Sequence, residues 1–130
     1  MSTTASAVTE GILVEVRSDY APNRSAPQNN HWFFLYTIRI TNQGDTPARL
    51  LTRHWVITNA RGEVSEVEGP GVVGEHPRLA TGQSFEYTSA CPLDTSFGTM
   101  TGKYEMERDD GDRFAVTIPT FSLAMPYAIN

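Results

Sequence analysis

Apolar and polar positions alternate along most of this chain, the two-residue period of half-buried β-strands. Ile12, Val14 and Val16 alternate after Gly11. Trp32, Phe34, Tyr36, Ile38 and Ile40 share one face of the next segment, and Phe33, Leu35, Thr37, Arg39 and Thr41 share the other. Ten residues at about 3.3 Å each span some 33 Å, so Trp32–Thr41 is predicted as a long central strand. Ala48–Thr58 returns as a strand through Arg53-His54-Trp55, and Glu63–Glu68 reads as a weak edge strand. Further strands are predicted over Gln83–Ser89, over Met100–Met106 and through Phe114, Val116 and Ile118 up to Pro119. Phe121, Leu123 and Met125 read as an extended tail laid back on the fold.

The punctuation between these segments consists of turn formers. Asn42–Pro47, Asn59–Gly62 and Asp109–Asp112 are predicted turns, the last with an Asp-Gly hairpin signal. Residues 18–31 carry Pro22, Pro27, Asn23, Asn29 and Asn30 and read as a long loop. No window of twelve residues carries a capped helical stripe. The pattern predicts an all-β fold, a fibronectin type III-like or immunoglobulin-like antiparallel β-sandwich of seven or eight strands. Residues 1–9 are small and polar and are expected to be a flexible N-terminal tail; residues 10–130 are expected to be a single domain.

Composition narrows the function classes. Ten basic residues against fifteen acidic ones leave a net charge of −5, which disfavours nucleic acid and anionic membrane as partners. Cys91 is the sole cysteine, so no internal disulfide forms. The longest apolar run, Trp32 to Tyr36, is far short of the roughly 20 residues of a membrane-spanning helix, and the N-terminus shows no secretory signal. A cytoplasmic chain not embedded in a membrane is expected.

Gly69-Pro70-Gly71-Val72-Val73-Gly74 matches G-x-G-x-x-G, but Pro77 follows too soon for the helix that a dinucleotide site requires. The segment reads as a bent crossing whose backbone N–H groups are also a candidate anion nest. Arg53 and His54 point to opposite faces of their strand. Gly69, Gly71, Gly74, Arg53 and His54 are the candidate anion- or partner-binding residues, with a small anion or a nucleotide as ligand. His31, His54 and His76 are widely separated and no metal-ligand spacing is present, so neither a metal site nor a cofactor is expected. No catalytic constellation stands out, and Cys91 before Pro92 reads as a small buried side chain. Phe33 and Leu35 form a second apolar face, expected to be covered by the tail around Phe121–Tyr127; left exposed, that face favours a homodimer.

Gly69-Pro-Gly-Val-Val-Gly-Glu-His-Pro77, Tyr87-Thr-Ser-Ala-Cys-Pro-Leu-Asp-Thr95, Phe97-Gly-Thr-Met100 and Arg53-His-Trp55 together resemble the bacterial ApaG family, over about Val8 to Tyr127. The resemblance implies a fibronectin type III-like sandwich and no enzyme activity. It also implies an association with cobalt and magnesium resistance or efflux, under the alternative family name CorD. Related domains in eukaryotic F-box proteins and a polymerase-interacting protein look like partner-binding modules. An unidentified protein partner is therefore expected, with an indirect role in ion resistance.

Overall fold

The computed structural model describes residues 2–126. Nine strands follow one another: β1 (Ser2–Thr9), β2 (Ile12–Tyr20), β3 (Trp32–Asn42), β4 (Ala48–Asn59), β5 (Val64–Pro70), β6 (Arg78–Leu79), β7 (Ser84–Leu93), β8 (Phe97–Arg108) and β9 (Arg113–Ala124). They form two antiparallel sheets, ordered β1-β2-β3-β7 and β5-β4-β8-β9, with the short β6 paired to the start of β4. This is the β-sandwich that the alternation predicts; β1 and the two-residue β6 carry the count past eight.

The core is built from the predicted faces. Ile12, Val14 and Val16 of β2 and Phe34, Tyr36, Ile38 and Ile40 of β3 are buried against Leu50 and Trp55 of β4, Met100, Tyr104 and Met106 of β8, and Val116, Ile118 and Leu123 of β9. Tyr36, Trp55 and Phe121 pack as an aromatic trio across the two sheets, with centroids 5.4–5.9 Å apart and edge or tilted geometry. Tyr87 and Tyr104 satisfy each other through a buried hydroxyl–hydroxyl bond of 2.6 Å.

Residues 2–9 are not a loose tail. They pair with β2 along their whole length, from Ser2 opposite Asp19 to Thr9 opposite Ile12. Their inward positions are Thr3, Ala5, Ala7 and Thr9, too small and polar to raise a hydrophobic signal. The hydroxyls have a structural use. Thr3 and Ser18 both donate to the Ser122 carbonyl, at 2.9 and 2.7 Å, and the Thr117 N–H donates to the Thr9 hydroxyl at 3.1 Å. These bonds close the sandwich between β1 and β9.

β9 does not stop at Pro119. The pairing slips between Met100 opposite Phe121 and Gly102 opposite Ile118, so Pro119 and Thr120 face Thr101 alone in a bulge. A bulge accepts the missing N–H of proline, and the strand continues to Ala124. Phe121 therefore enters the core rather than covering Phe33 and Leu35; Tyr127 lies outside the described residues. Phe33 is instead half covered by its own neighbours, Arg24 at 5.7 Å and His31 at 6.0 Å from its ring centroid. The stretch expected as a loop from residue 18 begins after Tyr20 and contains two 3-10 turns, Pro22–Arg24 and Pro27–Asn29.

A buried polar knot fixes the end of β3. The Asn42 side chain donates to the Thr46 and Leu79 carbonyls at 2.8 and 2.9 Å and accepts from the Gly44 N–H at 2.9 Å. Asn42→Leu keeps the branched shape and the heavy-atom count but strands all three partners, so it should lower stability by about 2–4 kcal/mol. Urea denaturation checks this; a loss below about 1 kcal/mol would show that water replaces the amide.

Candidate functional site

A sandwich of two open sheets has four edge strands. β1 and β9 are tied together as described. On the opposite side β7 and β5 each have a single neighbour, β3 and β4. Between them lies a cleft of about 860 Å³ lined by Tyr36, Arg53, Trp55, Val67, Cys91 and Leu93 among others. It continues into a second hollow of about 380 Å³ that reaches Val72, Val73 and Gly74. Tyr36, Arg53, Trp55 and Ser89 line both hollows.

Arg53 stands at the junction. It shares the inner face of β4 with Trp55, as period-two geometry requires. Its Nη1 donates to the Pro70 and Gly71 carbonyls at 2.9 and 3.0 Å. Gly69 lies opposite it in β5, where an added Cβ would sit 3.0 Å from both Nη1 and Nη2. Glycine at 69 therefore leaves room for the guanidinium. His54 faces away from this side. It lies on the outer face of the sheet, its Nε2 at 2.8 Å from Glu66 and 3.5 Å from Glu68. The structure thus brings Arg53, Gly69 and Gly71 together and leaves His54 apart.

The glycine-rich segment is a turn, not the start of a helix. Gly71 has φ of +62°, and a Cβ there would lie 2.4 Å from the Glu75 carbonyl oxygen. The Gly71 N–H donates to the Leu51 carbonyl at 2.9 Å, and Val72 and Glu75 exchange N–H···O bonds of 2.9 and 2.8 Å. Two of the N–H groups that an anion nest over residues 71–74 would use are thus already committed. Val73 and Gly74 form the two central residues of the turn, both with positive φ, 44° and 79°. Such a turn favours Asn-Gly. A β-branched residue there is an outlier, and Val73 is 55% exposed at the tip.

Sequence reasoning missed Val67 and the far end of the cleft. Val64, Val67 and Val73, exposed by 59%, 44% and 55%, all lie on β5 or the adjoining turn. At the far end Arg61 bridges Glu63 and Asp94 with bonds of 2.6 Å. Arg61 and then Asn59 hold the Asp94 carboxyl below its usual range; Asn59 and then Arg61 do the same for Glu63. The alternating charges of Glu63 to Glu68 mark an edge strand, but only the paired register shows that Val67 lies beside Trp55.

A family model described as the ApaG domain matches residues 22–108. The chain belongs to the ApaG family. It is 51% identical over 126 residues to Protein ApaG of Anaeromyxobacter dehalogenans (strain 2CP-C), covering 97% of this chain and 99% of the relative. It is 51% identical over 120 residues to Protein ApaG of Rhodopseudomonas palustris (strain TIE-1), covering 92% of each. A crystal structure of a Bordetella pertussis protein described as ApaA superposes with a TM-score of 0.87 at 48% identity, over 89% of this chain and 94% of that one. The open side between β5 and β7 is therefore a feature set on an ApaG sandwich.

The cleft's nucleophile candidates hold their protons. Burial pushes the Cys91 thiol up to about 11, and burial likewise raises the Tyr36, Tyr87 and Tyr104 phenols. A thiol and phenols that keep protons longer folded than unfolded contribute stability that is complete below their unfolded values, 9.0 and 10.0. That stability is lost as pH rises through the folded ones. The urea midpoint should accordingly hold steady from pH 7 to 8.5 and fall from pH 9 upward; a flat profile to pH 11 would contradict the buried assignments. Val73→Asn should raise stability by about 1 kcal/mol by relieving the left-handed valine. A destabilised variant in the same denaturation assay would refute that strain.

Proposed function

We propose that the chain is a non-enzymatic protein-interaction module that takes its partner along the open side of the sandwich, between β5 and β7. The observation that carries this reading is the pair of exposed valines, Val67 and Val73, that line a cleft floored by Trp55 and Tyr36. Apolar side chains gathered at one rim are what an interface leaves uncovered in the free protein. The walls are rigid strands, and a rigid scaffold presenting a loop is a common way of binding. The buried, protonated state of Cys91 supports binding rather than nucleophilic chemistry. The module acts in the cytoplasm. The link to cobalt and magnesium resistance or efflux that the family resemblance brings is indirect, exerted through the bound partner. Among the described residues no group of three or more His, Cys, Asp or Glu is placed to hold a metal ion.

A second reading, binding of a small anion or nucleotide at residues 69–74, draws on Arg53. With the Gly71 and Val72 N–H groups committed within the fold, it rests on the guanidinium. Site-specific photo-crosslinking separates the two. A photoreactive residue at Val67 should give a discrete protein adduct in cytosol of the producing cells. The same probe at Thr88, on the outer face of β7, should give none, and excess unlabelled chain should compete the adduct away. Identical adducts at both positions, or none at Val67, would overturn the interaction reading. Chemical-shift changes at Val73, Gly74 and Arg53 with millimolar pyrophosphate would favour the anion reading instead.

A further inference from the structure

We infer that the open side receives an extended strand of a partner protein, paired to the free edge of β5, with a glutamate reaching across Gly69 to Arg53 and an apolar side chain two residues on, beside Val67. This rests on the interaction reading above and names what the partner must present.

The edge comes first. β5 and β7 each lack a second neighbour, but Pro92, which has no N–H to give to an added strand, falls within the stretch of β7 that lines the cleft. β5 has no proline before Pro70 at its end, so Val64–Gly69 offers an uninterrupted ladder edge. A strand added there gains main-chain hydrogen bonds and presents alternate side chains to the cleft.

The side chains come second. Gly69, Val67 and Ser65 lie opposite Arg53, Trp55 and Ile57. Both rows repeat every two residues, about 6.6–6.8 Å, which a ligand matches only when it is itself extended. Beside Gly69 no side chain separates an incoming residue from the guanidinium. At the next inward position an incoming side chain meets Val67, half exposed and opposite Trp55 in the register.

The charge comes third. Glu63 and Asp94 at the far end share the single positive charge of Arg61, which leaves that end acidic and Arg53 as the cation at the other end of the cleft. Arg53 spends Nη1 on two carbonyls, and its Nε and Nη2 have no hydrogen-bond acceptor among the described residues. Tyr36 and Ser89, which line the same junction, add hydroxyls around it. A guanidinium with Nε and Nη2 to spare, in a hollow that also presents the Tyr36 and Ser89 hydroxyls, suits a carboxylate. A chain of net charge −5 disfavours acidic partners overall, and Arg53 marks the place in this cleft where an acid is favoured. The strained Val73 at the end of the hollow fits the same picture, since exposed strain of this kind collects at binding sites.

The test pans mRNA-displayed random 12-residue peptides on the intact chain. Enriched peptides should carry glutamate two positions from a valine, isoleucine or leucine and shift the β5 amides in NMR spectra. Changing that glutamate to glutamine should weaken binding at least tenfold, and Arg53→Gln should add no further loss. If Arg53→Gln does not fold, Val67→Asp on the exposed edge should weaken binding by a similar factor. Val73→Asn should fold yet bind several-fold more weakly. Enrichment without the acid–x–apolar spacing, or equal binding of the glutamine peptide, would overturn the proposal. So would displacement of the peptides by equimolar pyrophosphate, or sedimentation showing the edge taken by a second copy. No enrichment alongside a specific Val67 crosslink would reject the extended acidic segment while leaving the interaction reading standing; failure of both would reject the two together.

Discussion

A two-layer sandwich of open sheets must deal with four edge strands, and nearly everything distinctive in this protein follows from how unevenly it does so. Unpaired ladder groups on an edge are either covered, satisfied by side chains, or left to recruit another strand. On one side small hydroxylated residues of β1 and β2 reach the β9 backbone, at Ser122 and Thr117, and close the seam without a continuous ladder. On the other side β5 and β7 stay apart, and the interior aromatics approach the surface between them.

That asymmetry explains the glycine-rich segment without a cofactor. Gly69 makes space for Arg53, and Gly71 takes a backbone conformation and a closeness to Glu75 that a side chain would forbid. The Val72–Glu75 bonds and the Gly71 bond to Leu51 of β4 fix the turn, so it positions the carbonyls that anchor Arg53. The same letters that in another fold open a phosphate-binding helix here hold a guanidinium at the mouth of a cleft.

Strands whose buried faces are large and apolar were legible in the sequence. Ile12 to Val16, Trp32 to Ile40 and Phe114 to Ile118 announce themselves by period two. β1 was not legible because Thr3, Ala5, Ala7 and Thr9 contribute hydrogen bonds and small volume rather than apolar bulk. The run of β9 past Pro119 was hidden because a proline normally ends a strand and only a register slip opposite Thr101 excuses it. At the site, alternation alone separated Arg53 from His54. What alternation could not show was that the Arg53 face meets the glycine turn while the His54 face meets Glu66 and Glu68. Such adjacency depends on the pairing of β4 with β5, a relation between distant segments that no local pattern encodes.

Partner binding along this side requires above all that the β5–β7 side be open in the free protein. Native-state hydrogen exchange, read residue by residue, tests that most directly. In an antiparallel edge strand alternate amides point into the sheet and out of it. Amides of β3, β4 and β8 should exchange only through global unfolding. Those of β5 and β7 should alternate, every second one exchanging at close to the rate of an unstructured chain. Uniform strong protection along β5 in the isolated protein would mean that the edge is already covered, and would contradict the account.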